Sequence, residues 1–354
     1  MKLLIYSDIQ FNPWKEFSTI LSNGRNSRLQ DQLDVQEEIF QTAIANNVDI
    51  LVHDGDLFES LTEKIDKATF LTVYEQFVKF SENNIIVVLN IGNHDWLDRT
   101  ETSHILEPFK EIKNVVVVDK PQVEIVNDVG LAFVPYTRDS FQLKVAEMRG
   151  LLQHSKKRYL FTHQGVSGAK VGPRDVQLKD EFTMNDFLCS DFTLVFNGHY
   201  HKTQKLWMNF IIIGSTHQKD FGERNDKKGY WILETDKAPT NPIYFETHAP
   251  KFFKVEVKNE EDFRLPVGFS DKDFLWCIVD ADVSQTFLEV LRKITNIRLE
   301  VETKKEVKLR TDVKISMAVE EQIKRYVEAM ATLLSKEKLL TQGIDIYRRS
   351  METL

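Results

Sequence analysis

The sequence predicts an α/β fold, and three observations carry that prediction. Short runs of Val, Ile, Leu and Phe recur through the first 240 residues, helical patterns separate the early runs, and chemistry-bearing residues follow several of them closely. Apolar runs of four to six residues, bounded by polar residues or Gly, suit strands buried on both faces. Such strands are expected at 2–7, 49–53, 85–90, 115–118, 131–135, 158–162, 193–196, 210–213 and 230–234. Helices are expected at 31–46 and 63–83, with another at 102–112. The later strands have less helix between them, so the sheet becomes mixed or a second sheet packs on the first.

Past residue 245 the texture changes. Runs at 252–257, 274–279 and 297–301 read as strands, with a helix at 284–295 between the last two, which makes a small α+β module. From Ser316 onward Met317, Val319, Ile323, Tyr326, Val327, Met330, Leu333 and Leu334 recur mostly at three- and four-residue steps, the pattern of an amphipathic helix. A second short helix is expected at 338–350. These shifts divide the chain into a main domain at 1–245, a small domain at 246–303, a Lys/Glu-rich linker at 304–315 and a helical region at 316–354.

A composition of 42% hydrophobic and 28% charged residues excludes wholesale disorder and fibrous classes. Two cysteines, Cys189 and Cys277, cannot build a disulfide framework or a four-cysteine zinc site, and they read as small buried apolar residues. No run approaches the roughly 18 apolar residues of a membrane span, and the segment from Met1 to Asp8 lacks a signal pattern. A soluble cytoplasmic protein without a membrane partner is therefore expected. The net charge is −8, yet residues 251–354 carry 19 Lys and Arg against 19 Asp and Glu, so the acidic excess lies in 1–250. Bound divalent cations would offset such carboxylates, and any contact with DNA must be a local patch.

Five segments carry the chemistry: Asp8-Ile9-Gln10, Gly55-Asp56-Leu57-Phe58, Gly92-Asn93-His94-Asp95, Thr162-His163-Gln164-Gly165 and Gly198-His199-Tyr200-His201. Each follows an expected strand, and strand ends in an α/β sheet converge on one rim. Singly, each has an ordinary explanation as a cap, a turn or a structural histidine. Together they deliver carboxylates, amides and imidazoles, a mixed O/N set suited to two divalent ions such as Mn²⁺, with Fe or Zn as alternatives. Two ions about 3.5–4 Å apart form the clamp used for in-line attack at phosphorus. Glycines before Asp56, Asn93 and His199 fit tight turns where backbone approaches the ions.

The series resembles that of the calcineurin-like metallophosphoesterases, D-x-H, G-D, G-N-H-[DE], H and G-H-x-H. The Gly214-Ser215-Thr216 turn, Asp220-Phe221-Gly222-Glu223 and Lys228-Gly229-Tyr230 are similar to the SbcD-type branch, the nuclease subunit that works with an SMC-like ATPase at DNA double-strand breaks. The resemblance covers 1–240 and implies a two-sheet sandwich flanked by helices, with a DNA-capping domain and C-terminal ATPase-binding helices. It also implies a metal-dependent DNA exonuclease with endonuclease activity, acting in repair, recombination or replication. Asp8, Gln10, Asp56 and His201 would hold one ion, and Asp56, Asn93, His163 and His199 the other. His94 would face the scissile phosphate as general acid or transition-state stabiliser, and Asp95 either orients His94 or another ligand or caps a turn.

Two residues depart from the family pattern. Gln10 replaces a His, which weakens the first site or shifts it toward Mn²⁺ or Mg²⁺. Glu59 stands where cellular members often carry a second phosphate-facing His, which counts against a dual-histidine mechanism. Both departures and the compact chain suit a phage-encoded version. Sequence-independent contacts to double- or single-stranded DNA are expected from Arg25, Arg28, Arg138, Lys170, Arg174 and Arg224, with Lys227 and Lys228 beside them. Trp96 reads as core, or as a residue packing on DNA or across a dimer; His217 reads as structural or cleft-lining. The resemblance further implies a homodimer through the helices at 63–83 and 102–112. No G-x-x-x-x-G-K-[ST] loop is present, so ATP hydrolysis would come from the ATPase, docked on Ile323, Tyr326, Val327, Met330 and Leu334. Two other readings stay open: a phosphoesterase acting on non-DNA substrates, and a catalytically weak DNA-binding scaffold for the ATPase.

Overall fold

The computed structural model describes residues 1–59, 64–302, 316–330 and 332–352; the expected linker at 304–315 lies outside the described residues. Residues Met1–Val301 form one compact unit and Glu302–Leu354 a second. In chain order the first unit runs β1 (Lys2–Tyr6), α1 (Ser27–Ala45), β2 (Ile50–Asp54), α2 (Lys67–Phe80), β3 (Ile86–Asn90), β4 (Val115–Val118), β5 (Gln122–Val126) and β6 (Val129–Val134). It continues with α3 (Phe141–Leu151), β7 (Lys157–Thr162), β8 (Lys170–Val171), β9 (Val176–Gln177), β10 (Leu194–Asn197), β11 (Gln204–Trp207) and β12 (Phe210–Ile212). Then come β13 (Gly229–Glu234), β14 (Ile243–Glu246), β15 (Phe252–Val257), β16 (Phe274–Asp280), α4 (Gln285–Leu291) and β17 (Ile297–Glu302).

Two six-stranded sheets, ordered β14-β13-β1-β2-β3-β4 and β11-β12-β10-β7-β6-β5, face each other. Side-chain alternation along each strand decides the layering. From β1, β2 and β3, the residues Leu3, Ile5, Val52 and Val88 meet Leu131, Phe133, Tyr159, Phe161 and Phe196 of the other sheet in the central core. The intervening Leu4, Leu51, Val87 and Leu89 turn outward onto α1 and α2 through Ile39, Phe40, Val73 and Phe77. On the far side Ala132, Leu160 and Val195 pack under Phe141, Val145 and Met148 of α3. The result is a helix–sheet–sheet–helix sandwich, the two-sheet metallophosphoesterase fold that the motifs imply. The parallel strands β1, β2 and β3 of one sheet and β7 and β10 of the other end toward one rim, so both sheets feed one site.

Several boundaries differ from expectation. Helix α1 starts at Ser27 because the Asn26 side chain accepts from the Leu29 amide. Helix α2 starts at Lys67, capped by Asp66 in the same manner. The helix expected at 102–112 is a short 3₁₀ turn, Glu107–Glu111, preceded by a loop in which Asp98 accepts from Thr100, Thr102 and Ser103. Those side-chain bonds offer the backbone an alternative to helix. The unexpected strands β5, β11 and β14 lie at sheet edges with exposed polar residues, where the apolar signal is diluted.

A third sheet, β15-β16-β17, packs with α4 around Val257, Leu275, Cys277, Val279 and Leu291. Phe252 and Phe274 of that sheet join Phe221, Phe17 and Trp276 in a separate aromatic cluster. In the second unit α5 (Val319–Ala329) and α6 (Lys336–Glu352) pack together.

Candidate metal centre

Loops at the strand ends build the centre, and backbone bonds hold them together. After β1 the amides of Asp8, Gln10 and Phe11 donate to the carbonyls of Gly55, Asp56 and Leu57 after β2. Gln32 of α1 fixes the first loop, donating to the carbonyls of Ile9 and Gln10 and accepting from the Asn12 amide. Asp8, Gln10, Asp56 and His199 all adopt left-handed backbone, with φ of 55°, 47°, 59° and 80°. Such strain at non-glycine residues persists only where the surroundings over-determine it, and it concentrates at functional sites.

The glycines are needed for space. A Cβ on Gly92 would lie 2.1 Å from Asp56 Oδ1, one on Gly55 2.2 Å from His163 Nδ1, and one on Gly198 2.4 Å from both Ser7 Oγ and the Asp54 carbonyl. The side chains and backbone of the centre occupy the volume that a methyl group would take.

Asp8, Asp56 and His163, all buried, bring one ligand atom each within 4.8 Å of one another. His163 Nε2 lies 3.2 Å from Asp56 Oδ2 and 3.9 Å from Asp8 Oδ1. Its Nδ1 contacts the Asp54 carbonyl at 2.7 Å. A carbonyl only accepts, so Nδ1 carries a proton and Nε2 faces the centre, where it would become a ligand atom for an ion that displaces its proton. Asn93 Oδ1 and His199 Nδ1 converge at 2.8 Å, and the His199 and His163 rings meet edge to face. On the other side His201 Nε2 is 4.0 Å from Asp8 Oδ1, while its Nδ1 rests 2.7 Å from Glu223 Oε1. Gln10 donates its amide to Asp56 Oδ2 at 3.0 Å.

These donors fit two divalent ions. Asp8 Oδ1 and Gln10 Oε1 are buried acceptors without a hydrogen-bond partner among the described residues, an arrangement that costs free energy unless a cation is supplied. The electrostatics agree. Burial opposes charge on His163, yet the Asp56 and Asp8 carboxylates overcome it and raise the imidazole to about 10. A field that draws a proton so strongly favours cations generally. Burial, with the His163 charge, pushes His199 down to about 3, leaving it neutral and ligand-ready.

His94 and Asp95 act beside this set. The His94 amide donates to Asp56 Oδ1 at 2.8 Å, its Nε2 lies 3.8 Å from Asp56 Oδ2, and its Nδ1 lies 2.6 Å from Glu59 Oε1. Asp95 Oδ2 accepts from the Asp56 and Gly92 amides and its Oδ1 from those of Leu57 and Phe58, so it locks the two loops to each other. These bonds cap the loop backbone and at the same time hold Asp56, one of the expected ligands. Burial and the Asp56 charge push Asp95 up to about 7.

The structure brings Asp8, Gln10, Asp56, Asn93, His94, His163, His199 and His201 into one cluster, but it scatters the expected DNA contacts. Arg28 needs correction. It is 4% exposed, donates to the carbonyls of Glu16 and Lys219, and lies over the Phe252 and Phe274 rings. Packing therefore consumes its guanidinium. Arg25 sits near α1 and donates to Gln30, and Arg224 donates to the Phe221 carbonyl. Arg138 and Arg174 are exposed, and Lys170 lines a cavity of about 310 Å³ beside His199 and His201. Lys228 is buried and pairs with Glu223, which makes it part of the His201 support. Trp96 is core, donating to the Tyr136 carbonyl, and His217 is buried against Gln32. In α5, Val327 is buried and Ile323 meets Gly343 of α6, so of the expected docking residues Tyr326, Met330 and Leu334 remain exposed.

Sequence reasoning missed Asp54. Asp54 is fully buried, and burial pushes its carboxyl up to about 8 while its carbonyl orients His163. Its only signal was position, at the end of a strand two residues before Asp56.

Among the described residues no helix is long and apolar enough to cross a membrane. The chain is 22% identical over 325 residues to exonuclease subunit 1 of enterobacteria phage T4, an alignment covering 91% of this chain and 89% of that protein. It is 28% identical over 180 residues to the DNA double-strand break repair protein Mre11 of Sulfurisphaera tokodaii, covering 49% of this chain and 44% of that protein. The 244L protein of invertebrate iridescent virus 6 matches at 25% over 190 residues, with 52% of this chain spanning 63% of that protein. A family model described as calcineurin-like phosphoesterase matches residues 1–264, three-quarters of the chain and every residue of the cluster above. The chain belongs to the calcineurin-like phosphoesterase family.

Proposed function

We propose that the chain is a metal-dependent DNA nuclease, hydrolysing phosphodiester bonds with two divalent ions, Mn²⁺ or Mg²⁺, and working as a homodimer with an SMC-like ATPase. The convergence of Asp8, Asp56 and His163 on one point, with His94 beside them, is the observation that carries this reading. Similarity to a phage exonuclease subunit along nine-tenths of the chain, through the small third sheet and beyond the family match, favours DNA over other phosphoesters.

The ions supply activation of water and charge neutralisation on phosphate oxygens. The protein does the rest. Asp56 serves both donor sets from its rigid loop, His163 and His201 are held in one tautomer by Asp54 and Glu223, and His94 keeps a proton for the leaving oxygen. Exposed Leu71 and Val78 on α2 would meet a second copy, and Tyr326, Met330 and Leu334 the ATPase.

End-labelled duplex DNA, set beside a nitrophenyl phosphomonoester, tests the proposal in Mn²⁺, Mg²⁺ or EDTA with wild type and His94→Ala. DNA cleavage that requires metal and falls in the variant by about 10²–10⁴-fold supports it. Hydrolysis of the monoester alone overturns the DNA assignment, and no hydrolysis under any metal, even with partner ATPase and ATP, leaves a binding scaffold.

A further inference from the structure

Apart from the centre, one further group of metal-ligating side chains converges among the described residues: His104, Glu107 and Asp119, with one ligand atom each within 4.8 Å of the others. His104 and Glu107 stand on one turn, closed by the Glu107 amide donating to the His104 carbonyl, and Asp119 directly follows β4. His104 Nε2 lies 3.0 Å from Glu107 Oε2 and 3.6 Å from Asp119 Oδ2. Donor atoms about 2.0–2.2 Å from a tetrahedral zinc ion stand roughly 3.3–3.6 Å from one another, so small movements would seat one here.

The Lys110 ammonium reaches the same two oxygens, at 2.7 Å from Glu107 and 2.8 Å from Asp119, but it leaves the group incomplete. The His104 side chain is only 4% exposed, and neither ring nitrogen has a hydrogen-bond partner among the described residues. Buried nitrogens left in that state cost free energy. Within the group, two carboxylates against one ammonium leave one negative charge unmatched. Burial, followed by the Lys110 charge, lowers the His104 imidazole from its ordinary range, which keeps the ring in the neutral form that binds metal.

We propose that His104, Glu107 and Asp119 form a zinc site separate from the two-ion centre, in which the ion takes the place of the Lys110 ammonium. One imidazole and two carboxylates suit zinc, and water completes the four positions on the side where Glu107 is exposed. Lys110 is one-third exposed and can swing into solvent. Mn²⁺, lowest in the affinity order of these divalent ions, does not displace the ammonium, so the site selects zinc. The ion would tie the Glu107–Glu111 turn to the end of β4. It would also brace the loop after β3, because the His104 ring meets Trp96 edge to face and the Ile105 amide donates to the Asp95 carbonyl.

The test uses the full chain. Wild type, His104→Ala and Glu107→Ala are dialysed against Zn²⁺, and bound zinc is counted by mass spectrometry. Wild type is expected to hold one zinc ion more than either variant, a difference that does not depend on how much zinc the two-ion centre takes or on whether the chain cleaves DNA. Glu107→Ala changes an exposed side chain, so it reports on the site even if His104→Ala unfolds. Lys110→Met removes the competing ammonium and should tighten this zinc ion by about tenfold. Amide hydrogen exchange gives a local readout. At zinc ten times its dissociation constant, exchange across residues 97–107 should slow by about tenfold more in wild type than in Glu107→Ala.

Equal zinc content in wild type and Glu107→Ala, or equal slowing of exchange in the two, overturns the site. Zinc affinity unchanged in Lys110→Met overturns the exchange of ion for ammonium.

Discussion

Replacing Gly92 with alanine probes the centre through one methyl group. The new Cβ would sit 2.1 Å from Asp56 Oδ1 and 2.3 Å from the Asp56 amide, where ordinary contact needs 3.4–4 Å. The backbone at 92 is not left-handed, so alanine adds no conformational strain and the effect is purely steric. Asp56 cannot turn aside cheaply, since its Oδ1 accepts from His94 and its amide donates to Asp95. Relief therefore moves the carboxylate that lies against both His163 and His94 by about 1 Å, and a displacement of that size costs about 10²-fold in rate. Overpacking of this kind also costs about 1–3 kcal/mol of stability. Gly150 near the end of α3 is the control, because its Cβ would meet nothing within 4 Å. Gly150→Ala should leave cleavage untouched and raise stability by up to about 1 kcal/mol. Urea unfolding, Mn²⁺ titration and phosphodiester hydrolysis are measured on both. A Gly92→Ala protein that binds metal and cleaves like wild type would refute the geometry.

Other consequences can be checked singly. Arg28→Met strands the Glu16 and Lys219 carbonyls and should lower unfolding free energy by about 2–4 kcal/mol; a reduced salt dependence of DNA binding at unchanged stability would instead restore Arg28 as a phosphate contact. Gln10→His should tighten Mn²⁺ binding at the site shared with His201, since an imidazole is a stronger donor than a neutral amide; equal or weaker affinity in a metal titration contradicts Gln10 as a ligand. His217, which burial first and the Arg28 charge second push down to about 3, stays neutral in the fold. The unfolded chain takes up its proton near pH 6.5, so stability is complete above that pH and is lost as pH falls from 6.5 toward 3, by about 1.4 kcal/mol per unit. His217→Gln should flatten the pH dependence of urea unfolding in that window; an unaltered slope would show that His217 is accessible to protons in the fold.

The legibility of the sequence followed the physics of each element. Strands buried on both faces, such as β2, β3 and β10, announce themselves as unbroken apolar runs. Edge strands such as β14, with exposed Ile243 and Phe245 beside Glu246, have no comparable signal. The candidate metal residues were readable because each follows a strand end and several sit beside a glycine. Asp54 was harder, since its part in the centre depends on His163, 109 positions away, meeting it in space. Arg28 shows the reverse error: in a polar stretch its charge suggested a phosphate contact, but the aromatic floor it covers comes from β15 and β16.

Metal stoichiometry tests the central claim most directly. Full-length wild type and Asp56→Ala are dialysed against Mn²⁺ and the bound metal is counted by mass spectrometry. The account predicts two ions per chain in wild type and loss of both in Asp56→Ala, because Asp56 stands between the His163 and His94 sides of one cluster. Two ions retained without Asp56, or none bound by wild type, would contradict it.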